Sequence, residues 1–202
     1  VSGSSSSVPM RFDAVPMPAG VAGRPRDGRG YPVPAITPWE DGEPRFALTD
    51  HGRTARCAVQ RECSVCGELM PRGPVWRVVG AGESAAIAAA LEAGAPYRNM
   101  APTGEGPGHR ACMLYAAMVC PYLARPNARR SVSSGQPADE LTGHLVRGAA
   151  RGGTGAVVGF ADYEYAVTEQ QVLFRFIDLV EYLPHQEASA HLARLEAEIQ
   201  AR

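Results

Sequence analysis

Two short pairs of side chains in this sequence have the types and the spacing to hold a metal ion: Cys63-Ser-Val-Cys66-Gly67, and much later His109-Arg-Ala-Cys112. Thiolate and imidazole are soft or borderline donors, and two matched pairs supply the four corners that a tetrahedral zinc ion requires. Residues 109 and 112 stand on one side of a helix's first turn, so both reach one ion. Gly67 provides the backbone freedom for the tight turn of a zinc knuckle. A Cys3His set is also the set of closed, structural sites, whereas catalytic zinc keeps three protein ligands and an open position. The expected cofactor is therefore one structural zinc per chain, on Cys63, Cys66, His109 and Cys112.

The chain has five cysteines, and the two outside these pairs read differently. With a helix running on from His109, Cys120 lies eight residues beyond Cys112, which at 1.5 Å per residue places it ~12 Å away. Cys57 precedes Cys63 by six residues in a helical stretch, and a free cysteine is among the residues most often fully buried. Both are expected to fill core. The remaining histidines, His51, His144, His185 and His191, are scattered singly. The sequence contains no G-x-x-x-x-G-K loop, no dinucleotide fingerprint and no Gly-x-Ser-x-Gly elbow, so no catalytic residues are assigned. Trp39, Glu40, Asp41 and Glu43 form an acidic aromatic cluster whose simplest reading is a solvated turn.

The elements that must position the pairs can be read in chain order. Residues 1–30, rich in Ser, Gly and Pro, read as a flexible leader that buries too little apolar surface to offset its ordering entropy. Tyr31 to Trp39 is extended and proline-punctuated, Asp41-Gly42 turns the chain, and Arg45 to Thr49 reads as a short strand. Asp50 caps a helix over His51 to Glu62 that leads directly into Cys63. Val75 to Val79 is a strand, and Ser84 opens an alanine-rich helix that stops at Gly94. His109 starts a strongly apolar helix ending at Pro121. A short helix is expected over Ala138 to Ala149. Gly155 to Val167 and Gln171 to Ile177 pair as a hairpin, Leu179 to Leu183 adds a third strand, and Glu187 to Ala201 forms a terminal amphipathic helix.

The fold class is thus α+β, with residues 31–202 as a single domain: a zinc module over about 57–123, and a C-terminal hairpin and helix over about 155–201. Its 202 residues, 45% hydrophobic, can bury one core. The 22 glycines and 17 prolines concentrate in the first fifty positions and near 101–108, which marks those stretches as loop. A net charge of -1 gives no general attraction to phosphate backbones, so binding to generic duplex DNA is expected to be weak. No apolar run approaches the ~20 residues of a membrane span, and the N-terminus does not read as a secretory signal. A reducing, cytoplasmic setting is the expectation, in which tightly spaced cysteines bind metal rather than form disulfides.

A knuckle, an intervening strand and a helix carrying the second ligand pair is a layout that resembles treble-clef zinc modules, over about a quarter of the chain. The nucleases built on that module place a His on the hairpin strand, and Val75 to Val79 has none. More widely, Arg29-Gly-Tyr-Pro-Val-Pro34, then Cys63-Ser-Val-Cys-Gly67, then His109-Arg-Ala-Cys112 with Cys120-Pro-Tyr-Leu123 resembles a group of uncharacterised actinobacterial and phage-associated proteins. That resemblance implies one cytoplasmic domain and the same ligand set, and no activity.

Two classes of function follow. One is a binding or regulatory module in which zinc fixes a scaffold, and the Tyr31 to Trp39 segment or the arginines at 53–61 meet a protein or nucleic-acid partner. The other is an enzyme of small-molecule metabolism, with a pocket between the zinc module and the C-terminal hairpin. The lack of a catalytic constellation favours the first.

Overall fold

The computed structural model describes residues 14–97, 102–120, 155–184 and 188–201. The predicted helix over 138–149 and two of the lone histidines, His144 and His185, lie outside them. The described chain is mixed α and β, as expected: a short helix α1 (Ala19–Ala22), a two-stranded ribbon β1 (Trp39–Glu40) and β2 (Glu43–Pro44), α2 (His51–Gln60), β3 (Val75–Val79), α3 (Ala81–Glu92), α4 (Arg110–Val119), β4 (Ala156–Val167), β5 (Val172–Pro184) and α5 (Ala188–Gln200). The last three strands form one antiparallel sheet in the order β3-β4-β5.

Helix α2 forms where capping and burial agree. Asp50 accepts a hydrogen bond from Arg53 N at 2.8 Å, satisfying one of the donors orphaned at a helix start. Thr54, Cys57 and Ala58 are the buried face, whereas Val59 is 60% exposed. The helix ends at Arg61 in the left-handed conformation, φ 57°. That conformation costs a non-glycine residue about 1 kcal/mol or more. Arg61 is held there by an ion pair with Asp162 (2.5 Å) and by stacking over the Tyr163 ring (5.1 Å), and its carbonyl accepts from Met70 N. The turn sends the chain straight into Cys63.

Strand β3, the sheet's outer strand beside β4, packs against α4 and is buried at all five positions. Its Arg77 is buried in mid-strand, paired with Glu83 and Glu105 and stacked 5.0 Å over Phe176. Trp76 sits opposite Gly159 in the register, and its ring lies so close that a Cβ on Gly159 would come within 2.5–2.9 Å of three ring carbons. On the far side of β3, Trp76 exchanges two backbone hydrogen bonds with Gly108, at 2.9 and 3.0 Å. That pairing delivers the chain to His109.

Four expectations are corrected by packing. The Gly- and Pro-rich stretch 14–30 is not an unstructured leader: Val15 and Val21 are buried, and Asp27 accepts hydrogen bonds from Arg29 N and Tyr31 N to fold a compact turn. Residues 1–13 lie outside the described chain. Arg45 to Thr49 is not a strand, because the ribbon ends at Pro44 and Leu48 N bonds back to the Arg45 carbonyl. Helix α3 starts at Ala81, three residues before the predicted Ser84 cap, and Ser84 is buried within it, bonded to the Tyr182 hydroxyl at 2.9 Å. Leu179 to Leu183 is not a third strand. It continues β5 beyond a bulge opposite Gly159/Phe160, where Val180 is the extra residue, and Asp178 close by adopts φ 55°.

Candidate metal centre

The knuckle is built by its own backbone. Cys63 N donates to Glu68 O, Gly67 N to Cys63 O and Met70 N to Arg61 O, each at 2.8 Å, so that both thiols of the pair point inward. Gly67 turns at φ 83°, a conformation that favours glycine. Ser64 ties the knuckle to the incoming loop: its N donates to Pro107 O at 2.8 Å and its hydroxyl to Gly106 O at 3.1 Å. The second pair stands on α4, with His109 at the N-cap and Cys112 in the first turn.

All four side chains are buried, and their donor atoms lie within 4.8 Å of one another. His109 Nδ1 is 3.5 Å from Cys66 Sγ and 3.9 Å from Cys112 Sγ. A tetrahedron with metal–sulfur bonds of ~2.3 Å has edges of about 3.8 Å, which these separations match. The four residues are positioned to bind one metal ion. His109 Nε2 donates to the Leu69 carbonyl at 3.2 Å, which fixes the tautomer and presents Nδ1 to the centre. His109 N also donates to Cys63 Sγ at 3.4 Å.

The four donors interact strongly with one another. Burial opposes a Cys63 thiolate, but hydrogen bonds with Cys112, Cys66 and His109 outweigh it and hold that thiol well below its ordinary pKa. Its hydrogen bonds to Cys63 and Cys66 raise His109 to about 10, against the cost of burial. Cys112, hydrogen-bonded to the same two sulfurs and buried, is pushed strongly upward. Negative charge is thus favoured on Cys63 and a proton on His109 and Cys112, protons that a metal ion would displace on binding.

Neither remaining cysteine belongs to the cluster. Cys57 is buried on α2, where burial first and the neighbouring Cys63 second push its thiol up to about 12. Cys120 caps the end of α4. Two glycines of the Gly- and Pro-rich stretches belong to the site. Gly108, directly before His109, has no room for a side chain: a Cβ there would overlap the Met113 methyl and stand 3.1 Å from Cys63 Sγ. Gly20 of α1 lies against the knuckle, with a Cβ position 3.0 Å from Cys66 Cβ.

The other residues singled out in the sequence serve the scaffold. His51 Nε2 donates to Thr168 O across to the hairpin turn, and His191 is buried on α5. Glu40 pairs with Arg45 beside the Asp41-Gly42 turn of the β1-β2 ribbon. Compared with protein-family models, with curated proteins and with solved structures, the chain matches none. Among the described residues, no helix is long and apolar enough to cross a membrane.

Proposed function

We propose that the four residues bind one structural zinc ion in a treble-clef-like module, and that the chain acts as a binding or regulatory scaffold rather than as a catalyst at the metal. The observation that carries this reading is the closed donor set: three thiols and one imidazole, all buried, with the second imidazole nitrogen already engaged by Leu69 O. Four protein donors fill a tetrahedron, so no corner is left for substrate. Thiolate ligands persist where disulfides do not form, so the reading carries a reducing, cytoplasmic setting with it.

Packing between the module and the hairpin supports the scaffold reading over the enzyme reading. That space, where a substrate pocket was anticipated, holds Tyr163, whose hydroxyl donates to the carbonyls of Cys57 (3.1 Å) and Ala58 (3.0 Å), and the adjoining rings of Phe174 and Phe176. A protein partner is favoured over nucleic acid by charge. The arginines of 53–61 are engaged within the chain, Arg53 on Thr37 O, Arg56 on Glu62 and Arg61 on Asp162, and the net charge is -1. Binding to generic duplex DNA is expected to be weak at physiological salt and to fade steeply as salt rises.

The test is elemental analysis of protein purified without added metal, followed by chelation. Close to one zinc per chain is expected, and removing it should abolish cooperative unfolding, because metal binding and folding are one equilibrium in such modules. Protein that is folded, monodisperse and metal-free would sink the proposal.

A further inference from the structure

The proposed centre has a charge problem that its ligands do not solve. A divalent ion with three thiolates and a neutral imidazole carries one net negative charge, and it is buried. The Glu68 carboxylate, 3.9 Å from Cys66 Sγ, adds a second negative group at its edge. Buried charge is tolerated where an opposite charge compensates it. The guanidinium next to a ligand in sequence, Arg110, is already committed: it forks onto Glu181 (2.9 Å to each oxygen) and reaches Glu198 at 2.9 Å. Arg53 donates to the Thr37 carbonyl.

Arg24 stands where the compensation is needed. It follows α1 and is half-buried, and its Nε donates to the Val33 carbonyl at 3.0 Å. Its Nη1 reaches to 3.7 Å from the point where a Cβ on Gly67 would stand, directly beside Cys66. Burial and the Arg53 charge weaken its hold on its proton, while Cys66 strengthens it. The chain around Arg24 is fastened to the same knuckle: Ala35 N donates to Val65 O (2.9 Å), Ile36 N to Ser64 O (3.3 Å), and Ala35 Cβ lies 3.3 Å from the Gly67 Cβ position. Gly20 gives α1 its close approach to Cys66, since any side chain there would meet the Glu68 carboxylate.

We propose that Arg24 is a positioning residue of the metal centre: its guanidinium balances the negative charge of the metal–thiolate cluster and holds the Pro18 to Thr37 segment over the knuckle. The inference rests on the Cys3His reading above. It makes the N-terminal segment part of the site although that segment supplies no ligand.

The experiment is zinc affinity and zinc release to a chromogenic chelator for the full chain and for Arg24→Gln, Arg24→Lys and Arg175→Gln. Residues supporting a ligand shell typically contribute 10–100-fold to metal affinity, so Arg24→Gln is expected to bind zinc about 10–100-fold more weakly and release it faster. Arg24→Lys keeps the charge and gives up the fork, so it should stay within about threefold of wild type. Arg175 pairs with Glu164 on the exposed face of the hairpin, and its substitution should change nothing. An Arg24→Gln protein that holds zinc as tightly as wild type overturns the inference. So does an Arg24→Lys protein as weak as Arg24→Gln, because packing rather than charge would then be the cause. If Arg24→Gln does not fold, Arg24→Lys against wild type decides alone, with a tenfold loss overturning the inference. Wild-type protein that takes up no zinc defeats the metal reading itself and the inference with it, an outcome distinct from a metal-loaded wild type whose Arg24 variants are unaffected.

Discussion

At the scale of single residues, what separates Cys63, Cys66, His109 and Cys112 from Cys57 and Cys120 is geometry, not chemistry. Replacing Cys63, Cys66 or Cys112 by Ser substitutes a poor ligand and opens the tetrahedron, so zinc content and melting temperature should fall together. Cys57→Ala removes a small buried group whose thiol burial holds protonated, costs about 1 kcal/mol, and should leave zinc content unchanged. Cys120→Ala should do the same. His109→Ala leaves three thiolates and is expected to weaken binding without abolishing it. Metal content and melting temperature for these six variants check the assignment, and release of zinc by Cys57→Ala but not by His109→Ala would refute it. These four positions were legible in the sequence because metal geometry imposes fixed ligand spacing. Gly108 and Arg24 were not, because nothing in a lone glycine or arginine says which sulfur it will meet: Gly108 is fixed by Cys63 Sγ across 45 positions of chain, and Arg24 by a turn whose shape depends on the knuckle itself.

At the scale of elements, local rules place α2, β3, α4 and the hairpin, and tertiary contacts decide where they end. Asp50 and the apolar runs at 75–79 and 111–119 announce themselves through capping and periodicity. The start of α3 does not, because its first turn forms at a glycine and Ser84 is taken by Tyr182 from a strand nearly a hundred residues away. The bulge in β5 is equally invisible, since it reflects registration against β4 rather than any turn residue. Trp76 and Gly159 give this level its test. Alanine normally suits a strand better than glycine. Here the added Cβ would come within 2.5–2.9 Å of a buried indole that cannot slide away, since Arg110 stacks over the same ring at 5.3 Å. Gly159→Ala is therefore expected to destabilise by about 1–3 kcal/mol in urea unfolding, as overpacked sites do. An unchanged or raised midpoint would show that the β3-β4 crossing is looser than described.

At the scale of the molecule, the metal site and the C-terminal elements meet at Arg110, the residue after His109, which binds Glu181 of β5 and Glu198 of α5 and stacks on Trp76 of β3. The same region carries a built-in acid sensitivity. His191 on α5 is fully buried, and burial first, then the Arg194 and Arg110 charges, push its pKa down to about 4. Glu181 and Glu198 are spent on Arg110, so they do little to favour an imidazolium. In the unfolded chain His191 titrates near its ordinary value, so between about pH 6.5 and pH 4 the unfolded state binds a proton that the native state refuses. Stability conferred by the neutral ring is thus complete above about pH 6.5 and drains away toward pH 4. Roughly 2.5 pH units at about 1.4 kcal/mol each bound the loss at about 3.5 kcal/mol. A metal bound at the four donors would also be released in acid, so the wild-type curve alone does not isolate this group. His191→Leu does: it keeps an apolar filling, removes the titration and leaves the four donors untouched. Urea unfolding of zinc-loaded protein from pH 7 to pH 4.5 should show the variant losing stability with a slope shallower by up to one proton. Parallel slopes for the two proteins would mean that the imidazole is protonated in the native fold and that its burial costs nothing in acid.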